Sequence, residues 1–362
     1  MNRFSIRFAF AILVCLLTSS ILQAQFTTTF AKNVNPGQQS GFYYSLPQTM
    51  LQLDFLIEET ECEIGPLAGY ASIYFGNEDY IDHHYTEYKL LDVKMKPVAS
   101  ADPNATFFVS IGTGRSGAKA EFDILPNGII RSVGVGVVAN QESVALCAQK
   151  PELLPPCCPE KRDNDFIKLL TSGKSEAQLA REAADKIAEI RDAKYKLISG
   201  YYETAFSPEH FREMYSKLDS MEADYTSLFL GSRVKKMVVR SVYVIPSKEV
   251  TTQTVAKFSE TDGLTSGTSG SGSTITVQTL PLNLTSGINA PSQSAIESMS
   301  YENKLFYRVP EMANVKVSMK NSVLIEERLT VSQLGVLMMA PVANTKLVFD
   351  TETGQILNMA IQ

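Results

Sequence analysis

The chain has 362 residues, with 39 acidic against 33 basic side chains and a formal charge of −6. An acidic balance of that kind disfavours nucleic acid and anionic membrane surfaces as partners. After residue 24 no stretch has the roughly 20 unbroken apolar residues that a membrane-spanning helix needs, so the remainder is read as soluble.

The chain opens with Arg3 and Arg7, an apolar run over residues 8–17 and the small Ala24. That order predicts a removable secretory signal peptide over residues 1–24, cut between Ala24 and Gln25. Cys15 reads as an apolar signal residue rather than an acylated one, because the bulky Val14 stands where lipid attachment expects a small residue. Removal of the segment leaves 338 residues and a formal charge of −8, enough chain for two or three modules.

Residues 25–150 predict an N-terminal β-rich module. Phe42-Tyr43-Tyr44-Ser45-Leu46 and Leu51-Gln52-Leu53-Asp54-Phe55-Leu56-Ile57 are strands, as are residues 88–95, 105–111, 120–125 and 129–138. Pro126-Asn127-Gly128 is a turn between the last two. Residues 66–82 break the alternation as a short helix and loop.

A Pro/Cys connector follows over residues 151–172, with Pro151, Pro155, Pro156 and Pro159 around Cys157-Cys158. Export permits disulfides among Cys62, Cys147, Cys157 and Cys158, with three full pairings open. A bridge between adjacent Cys157 and Cys158 is strained. Pairing Cys147 with one of them, or Cys62 with the other, fits better on reach. Zinc is disfavoured, because the spacing lacks paired CxxC knuckles and no His lies nearby.

Residues 173–231 predict an antiparallel helical hairpin. Ser175 with Gln178 forms a capping box for the first helix, and Gly200 ends it. Its apolar steps are Ala180, Ala183, Ile187, Ile190 and Leu197. Ser207-Pro208 opens the second helix, whose seam runs through Phe211, Met214, Leu218, Met221, Tyr225 and Leu228 to a stop at Gly231. A helical stretch of this length also disfavours an outer-membrane barrel.

Residues 232–362 return to strand as a C-terminal β-rich module, interrupted by a Gly/Ser/Thr loop at 261–274. The fold class expected is α+β: two β-rich modules flanking the hairpin. The modules echo each other. Phe42-Tyr43-Tyr44-Ser45-Leu46-Pro47 parallels Leu305-Phe306-Tyr307-Arg308-Val309-Pro310. Phe122-Asp123 before Gly128-Ile129-Ile130 likewise parallels Phe349-Asp350 before Gly354-Gln355-Ile356. A duplicated β module accounts for both, with aromatic strand composition as the alternative.

Gly41-Phe42-Tyr43-Tyr44-Ser45-Leu46-Pro47, Tyr307-Arg308-Val309-Pro310 and Gln333-Leu334-Gly335-Val336 resemble segments of an uncharacterised family of exported Gram-negative cell-envelope proteins, a domain of unknown function. The resemblance implies a periplasmic or outer-membrane-associated protein and brings no activity or site residues with it.

The chemistry-bearing patterns are few. Gly112-Thr113-Gly114-Arg115-Ser116-Gly117 matches GxGxxG, but Ala120-Glu121-Phe122-Asp123-Ile124 continues as a strand where a phosphate site needs a helix. It reads as a hairpin turn, and no cofactor is expected. His83 and His84 sit among Glu78, Asp79, Asp82 and Glu87, the one His-carboxylate cluster, and are the metal candidates with Asp79, Asp82 and Glu87. Neighbours on an extended segment point to opposite faces, so a solvated loop is the default. His210 falls in the first turn of the second helix, facing solvent. No GxSxG or HExxH motif is present, and no catalytic residue is assigned.

The 15 tyrosines gather at Tyr43-Tyr44, residues 70–88 and Tyr201-Tyr202, which suits either strand packing or a protein-binding surface. Two function classes result. One is a non-catalytic envelope protein that binds another envelope protein, as an accessory subunit of an outer-membrane assembly. The other is a hydrolase with a carboxylate/His site that sequence does not reveal. Amino-terminal sequencing of the protein recovered from a Gram-negative host is expected to begin at Gln25; a chain that keeps Met1 would refute the signal peptide.

Overall fold

The computed structural model describes residues 26–35, 40–76, 79–111, 120–135, 173–201, 207–267, 270–342 and 345–361. The signal segment, the glycine motif at 112–117, the connector and Cys147, Cys157 and Cys158 lie outside them. The described residues form a β-rich fold of three antiparallel sheets with two long helices.

Two long hairpins organise the sheets. The first joins β2 (Gly41–Glu63) to β3 (Tyr85–Ile111), with β1 (Phe26–Phe30) beyond β3 and β6 (Ser232–Val244) beyond β2. The two-residue β10 (Tyr301–Glu302) completes that sheet. The second joins β11 (Lys304–Met319) to β12 (Ser322–Pro341). Its sheet continues through β9 (Ser273–Pro281), β7 (Thr252–Ser259) and β8 (Gly263–Ser266). Each long hairpin is followed in the chain by a short one. These are β4 (Ala120–Ile124) with β5 (Ile130–Val135), and β13 (Thr345–Phe349) with β14 (Ile356–Ile361). Together they form the third sheet, in the order β14-β13-β5-β4.

The strands expected at 42–46 and 51–57 are one strand, because β2 runs on through Pro47. Its pairing with β3 shifts register between Ser45 and Pro47, and β11 shifts between Val309 and Glu311 around Pro310. A proline lacks the N–H of a regular ladder, so it is tolerated at a bulge, where the strand also bends. The bends let each long strand serve two cores. Beyond Pro47, Leu51, Leu53, Phe55 and Ile57 meet Val315, Val317 and Val277 in one core. Before it, Tyr44 and Leu46 meet Phe107, Phe306 and Leu347 in the other. The alternation of buried and half-buried residues from Leu51 to Ile57 is the period-two pattern of a sheet with one face covered.

The helices form a third core. α1 (Ala71–Phe75) follows a 3-10 turn at Ala68–Tyr70. α2 (Glu176–Ile198) has the Ser175–Gln178 capping box, and α3 (Pro208–Leu230) starts at Ser207, whose hydroxyl accepts from the His210 N–H. The buried residues of α2 are Ala180, Ala183, Ile187, Ile190 and Leu197, the five apolar steps. On α3 burial concentrates at Tyr225, Leu228 and Phe229, while Met214 is exposed, so the apolar seam is covered only toward its C-terminal end. That end rests on Leu67 and Ala71, and the Leu67 N–H donates to the Leu228 carbonyl at 2.8 Å.

Two expectations change. The Gly/Ser/Thr stretch 261–274 is not loop throughout: Gly263–Ser266 pairs with Ala256–Ser259 as the edge strand β8, where backbone hydrogen bonds offset the scarcity of apolar side chains. Nor do residues 25–150 and 232–362 keep to sheets of their own. β6 and β10 complete the first sheet, and β13 pairs with β5 in the third.

Gly335 lies against the second bulge, where an added Cβ would stand 1.9 Å from the Val309 carbonyl oxygen. Gly335→Ala is expected to destabilise the fold by about 1–3 kcal/mol in urea unfolding, by overpacking. Gly69→Ala, with nothing within 4 Å of the new carbon, is expected to stay within about 0.5 kcal/mol of wild type.

Candidate functional site

The two bulges meet, and the meeting point is polar. In the first hairpin the single residue Leu46 faces residues 102–105, and in the second Pro310 faces residues 332–335. Arg308, beside the second bulge, reaches into the first. Its guanidinium donates to the Asp102 carboxylate and, at 2.7 Å, to the Pro47 carbonyl. Both Arg308 and Asp102 are buried. Asp102 also accepts from the Asn104 N–H at 2.8 Å.

The second bulge returns the contact. The Gln333 amide accepts from the Thr49 N–H and donates to the Thr49 carbonyl, each at 2.9 Å, and donates to the Pro246 carbonyl at 3.0 Å. The Ser332 N–H donates to the Thr49 hydroxyl at 3.0 Å. Glu311 lies just beyond. Its buried carboxylate accepts from the N–H groups of Leu284 and Thr285, each at 2.9 Å, from the Thr285 hydroxyl at 2.6 Å and from the Met312 N–H at 3.1 Å. Burial pushes the Glu311 carboxyl up, and these hydrogen bonds outweigh it and hold it below the ordinary glutamate range. Burial lowers the Arg308 pKa against the opposing pull of Asp102, and the guanidinium stays charged.

Arg308 also lines a cleft of about 430 Å³. Ala290, Pro291, Ile296, Val336 and Leu337 supply an apolar wall, and Gln333, Gly335, Lys248 and Glu249 complete the lining. Lys248 is exposed along its side chain, and its ammonium donates to the Gly335 carbonyl at 2.6 Å. Partial burial of that ammonium, then the charge of Arg308, lower its pKa against the influence of Glu311.

A different surface lies at the outer end of the helix pair. Tyr195 and Tyr201 are each 71% exposed, Ile198 is 62% exposed, and Met214 in the first half of α3 is 38% exposed. Ion pairs lock the helices together nearer the sheets: Arg191 with Glu222 at 2.7 Å, and Lys194 with Asp219 at 2.6 Å and Glu222 at 2.7 Å.

The residues singled out from sequence are not gathered at either place. His83 donates from Nδ1 to the carboxylate of its neighbour Asp82 on the surface, and that contact holds the Asp82 carboxyl below its ordinary range. Asp79, His84 and Glu87 do not join them: among the described residues no three His, Cys, Asp or Glu side chains converge as a metal-binding group. Cys62 is buried and has no disulfide partner among the described residues, and its three candidate partners lie outside them. Tyr44 is a core residue whose hydroxyl accepts from the Phe306 N–H at 3.0 Å, and burial raises its pKa. Arg308 and Glu311 are not among the site residues expected from sequence: the same strand carries Lys304 and Lys316, so a charge there is no signal by itself, and the burial of these two appears only in the fold.

Removal of one member of a buried ion pair strands the other. Arg308→Met is expected to cost about 3–5 kcal/mol of unfolding free energy, and Arg308→Met with Asp102→Leu distinctly less than the sum of the two single changes. Additive losses in urea melts would mean that the two groups do not depend on one another.

No curated protein and no solved structure matches the chain. The family model described as Domain of unknown function (DUF4831) matches residues 40–357, from just before β2 into β14, and the chain belongs to that family.

Proposed function

We propose that the chain is an exported, non-catalytic cell-envelope protein that acts by binding another envelope protein, as an accessory subunit of an outer-membrane assembly. The observation that carries the reading is the exposed aromatic end of the helix pair. Partners of α2 move back along α3 as the chain advances, Arg191 to Glu222 and then Lys194 to Asp219, which supports an antiparallel hairpin. α3 is anchored at Leu228 and Phe229 and begins at Pro208. At 1.5 Å per residue its free end lies about 30 Å from the anchor. Tyr195, Ile198 and Tyr201 are large, and exposed aromatic and aliphatic side chains of this kind are the usual anchors of protein–protein contacts. The charged groups at the bulges support a structural role for that region: Arg308, Asp102 and Glu311 are bonded to one another or to backbone rather than aimed at a substrate.

The reading includes a duplicated β module. The Ser45 N–H donates to the Gly128 carbonyl at 2.9 Å, and the Arg308 N–H donates to the Gly354 carbonyl at 3.0 Å. These are equivalent positions of the two repeated sequence signatures, and Gly128 and Gly354 both take left-handed backbone angles, φ 85° and 76°. Each half also has the same order, a long bulged hairpin and then a short one. Export and an envelope location rest on the amino-terminal segment.

A photoreactive residue placed at 195, 198 or 201 in the envelope of an expressing cell is expected to yield one discrete cross-linked adduct. The same residue at Lys320, exposed on a hairpin turn of the second sheet, is expected to yield none. Equal labelling from all four positions, or none from any, would overturn the docking role.

A further inference from the structure

The cleft beside the crossing of the hairpins has the dimensions and the chemistry of a small-molecule site. Its volume of about 430 Å³ lies within the range of roughly 300–1,000 Å³ usual for such sites, which pair an apolar wall with a few placed polar groups. Ile296 and Leu337 belong to the wall, and it is fixed rather than adaptable. Ile296 is buried in the second core behind it, and at Gly335 the strands run so close that an added Cβ would stand 1.9 Å from the Val309 carbonyl oxygen. The polar part is unequal. Arg308 at the floor is neutralised by Asp102, so its charge is taken up inside the protein. Lys248 is different: among the described residues no carboxylate lies within ion-pair distance of it, and its only hydrogen bond is the one to the Gly335 carbonyl. An ammonium has three donors, so two remain for a ligand. Glu249 is the one acid in the lining; it is exposed and sets a limit of one anionic group on what the site accepts.

We propose that this cleft binds a small amphiphile, a molecule with one anionic group held by Lys248 and an apolar body lying against Pro291, Val336 and Leu337. A medium-chain fatty carboxylate has that chemistry. A nucleotide does not, since it carries several negative charges and a polar sugar against an apolar wall and Glu249. The lowered pKa of Lys248 agrees with an ammonium partly withdrawn from water, where a hydrogen-bonded ion pair gains strength. The site is separate from the docking surface on the helices and stands or falls without it.

The test is fluorescence titration of the mature chain with two dyes of similar apolar body, the anionic anilinonaphthalene sulfonate and the uncharged N-phenylnaphthylamine. Lys248→Met is expected to weaken the sulfonate about tenfold and leave the neutral dye unchanged, a loss matched to one charge-assisted hydrogen bond. Glu249→Gln is expected to tighten the sulfonate a few-fold by removing a repulsion. Val336→Trp fills the cleft and should abolish both, and decanoate should displace both from the wild type. Thermal unfolding of each variant checks that the fold persists, and Lys248→Arg should rescue sulfonate binding if a variant's loss is electrostatic. Equal sulfonate affinity in wild type and Lys248→Met, binding that survives Val336→Trp, or no binding to the wild type would each overturn the site.

Discussion

The structure turns on one buried contact, the guanidinium of Arg308 between the Asp102 carboxylate and the Pro47 carbonyl. A buried charge is tolerated only when it is paired and its remaining donors are met. Both partners here come from the opposite hairpin: Pro47 from β2 and Asp102 from the bulge of β3. Neither can be present unless the two bulges face each other. The contact therefore fixes how one hairpin sits against the other, which apolar packing alone specifies poorly, since it lacks direction. Gln333 repeats the device from the other side with both ends of its amide on the Thr49 backbone. Stability comes mainly from the two apolar cores; the polar junction selects the arrangement in which they form.

That division explains where the prolines and glycines fall. Pro47 and Pro310 sit where each strand gives up regular pairing, and Gly335 allows the β11 backbone to come close. On the duplicated reading, Ser45 and Arg308 occupy equivalent positions and make equivalent backbone bonds, to Gly128 and Gly354. Their side chains differ. Ser45 bonds locally to the Thr106 hydroxyl, whereas Arg308 crosses to the other hairpin. On that reading, the difference at this position makes the pair of hairpins asymmetric.

Local structure was legible in the sequence where it depends on near neighbours. The capping box at Ser175, the Ser207-Pro208 start and the apolar steps of α2 follow from spacing and cap chemistry over a few residues. Strand alternation from Leu51 to Ile57 was legible for the same reason. The join across Pro47 was not, because a proline in a strand is acceptable only if a bulge forms opposite it, and the bulge lies over 50 residues away in the chain. The assignment of residues 25–150 and 232–362 to separate modules failed on the same ground: strand order is set by contacts such as Leu347 with Val133, distant in sequence. His83 and His84 drew attention by residue type, yet type without convergence makes no site. Arg308 and Asp102 carry the junction, and each looks ordinary until the partner is known.

The junction also bears on where the fold can change shape. Arg308, Gln333 and Glu311 tie β2, β11, the segment after β6 and the loop at Leu284 into one network, with partners on several elements. A local opening there would break several buried hydrogen bonds together, and any of Arg308, Asp102 and Glu311 left buried would lose its partner, so it is costly. The outer end of the helix pair carries less of it: Met214 is exposed, so the seam is only partly covered there, and Lys196 with Asp192 is an exposed ion pair, which is weak. Motion is therefore cheap at the helices and expensive at the crossing.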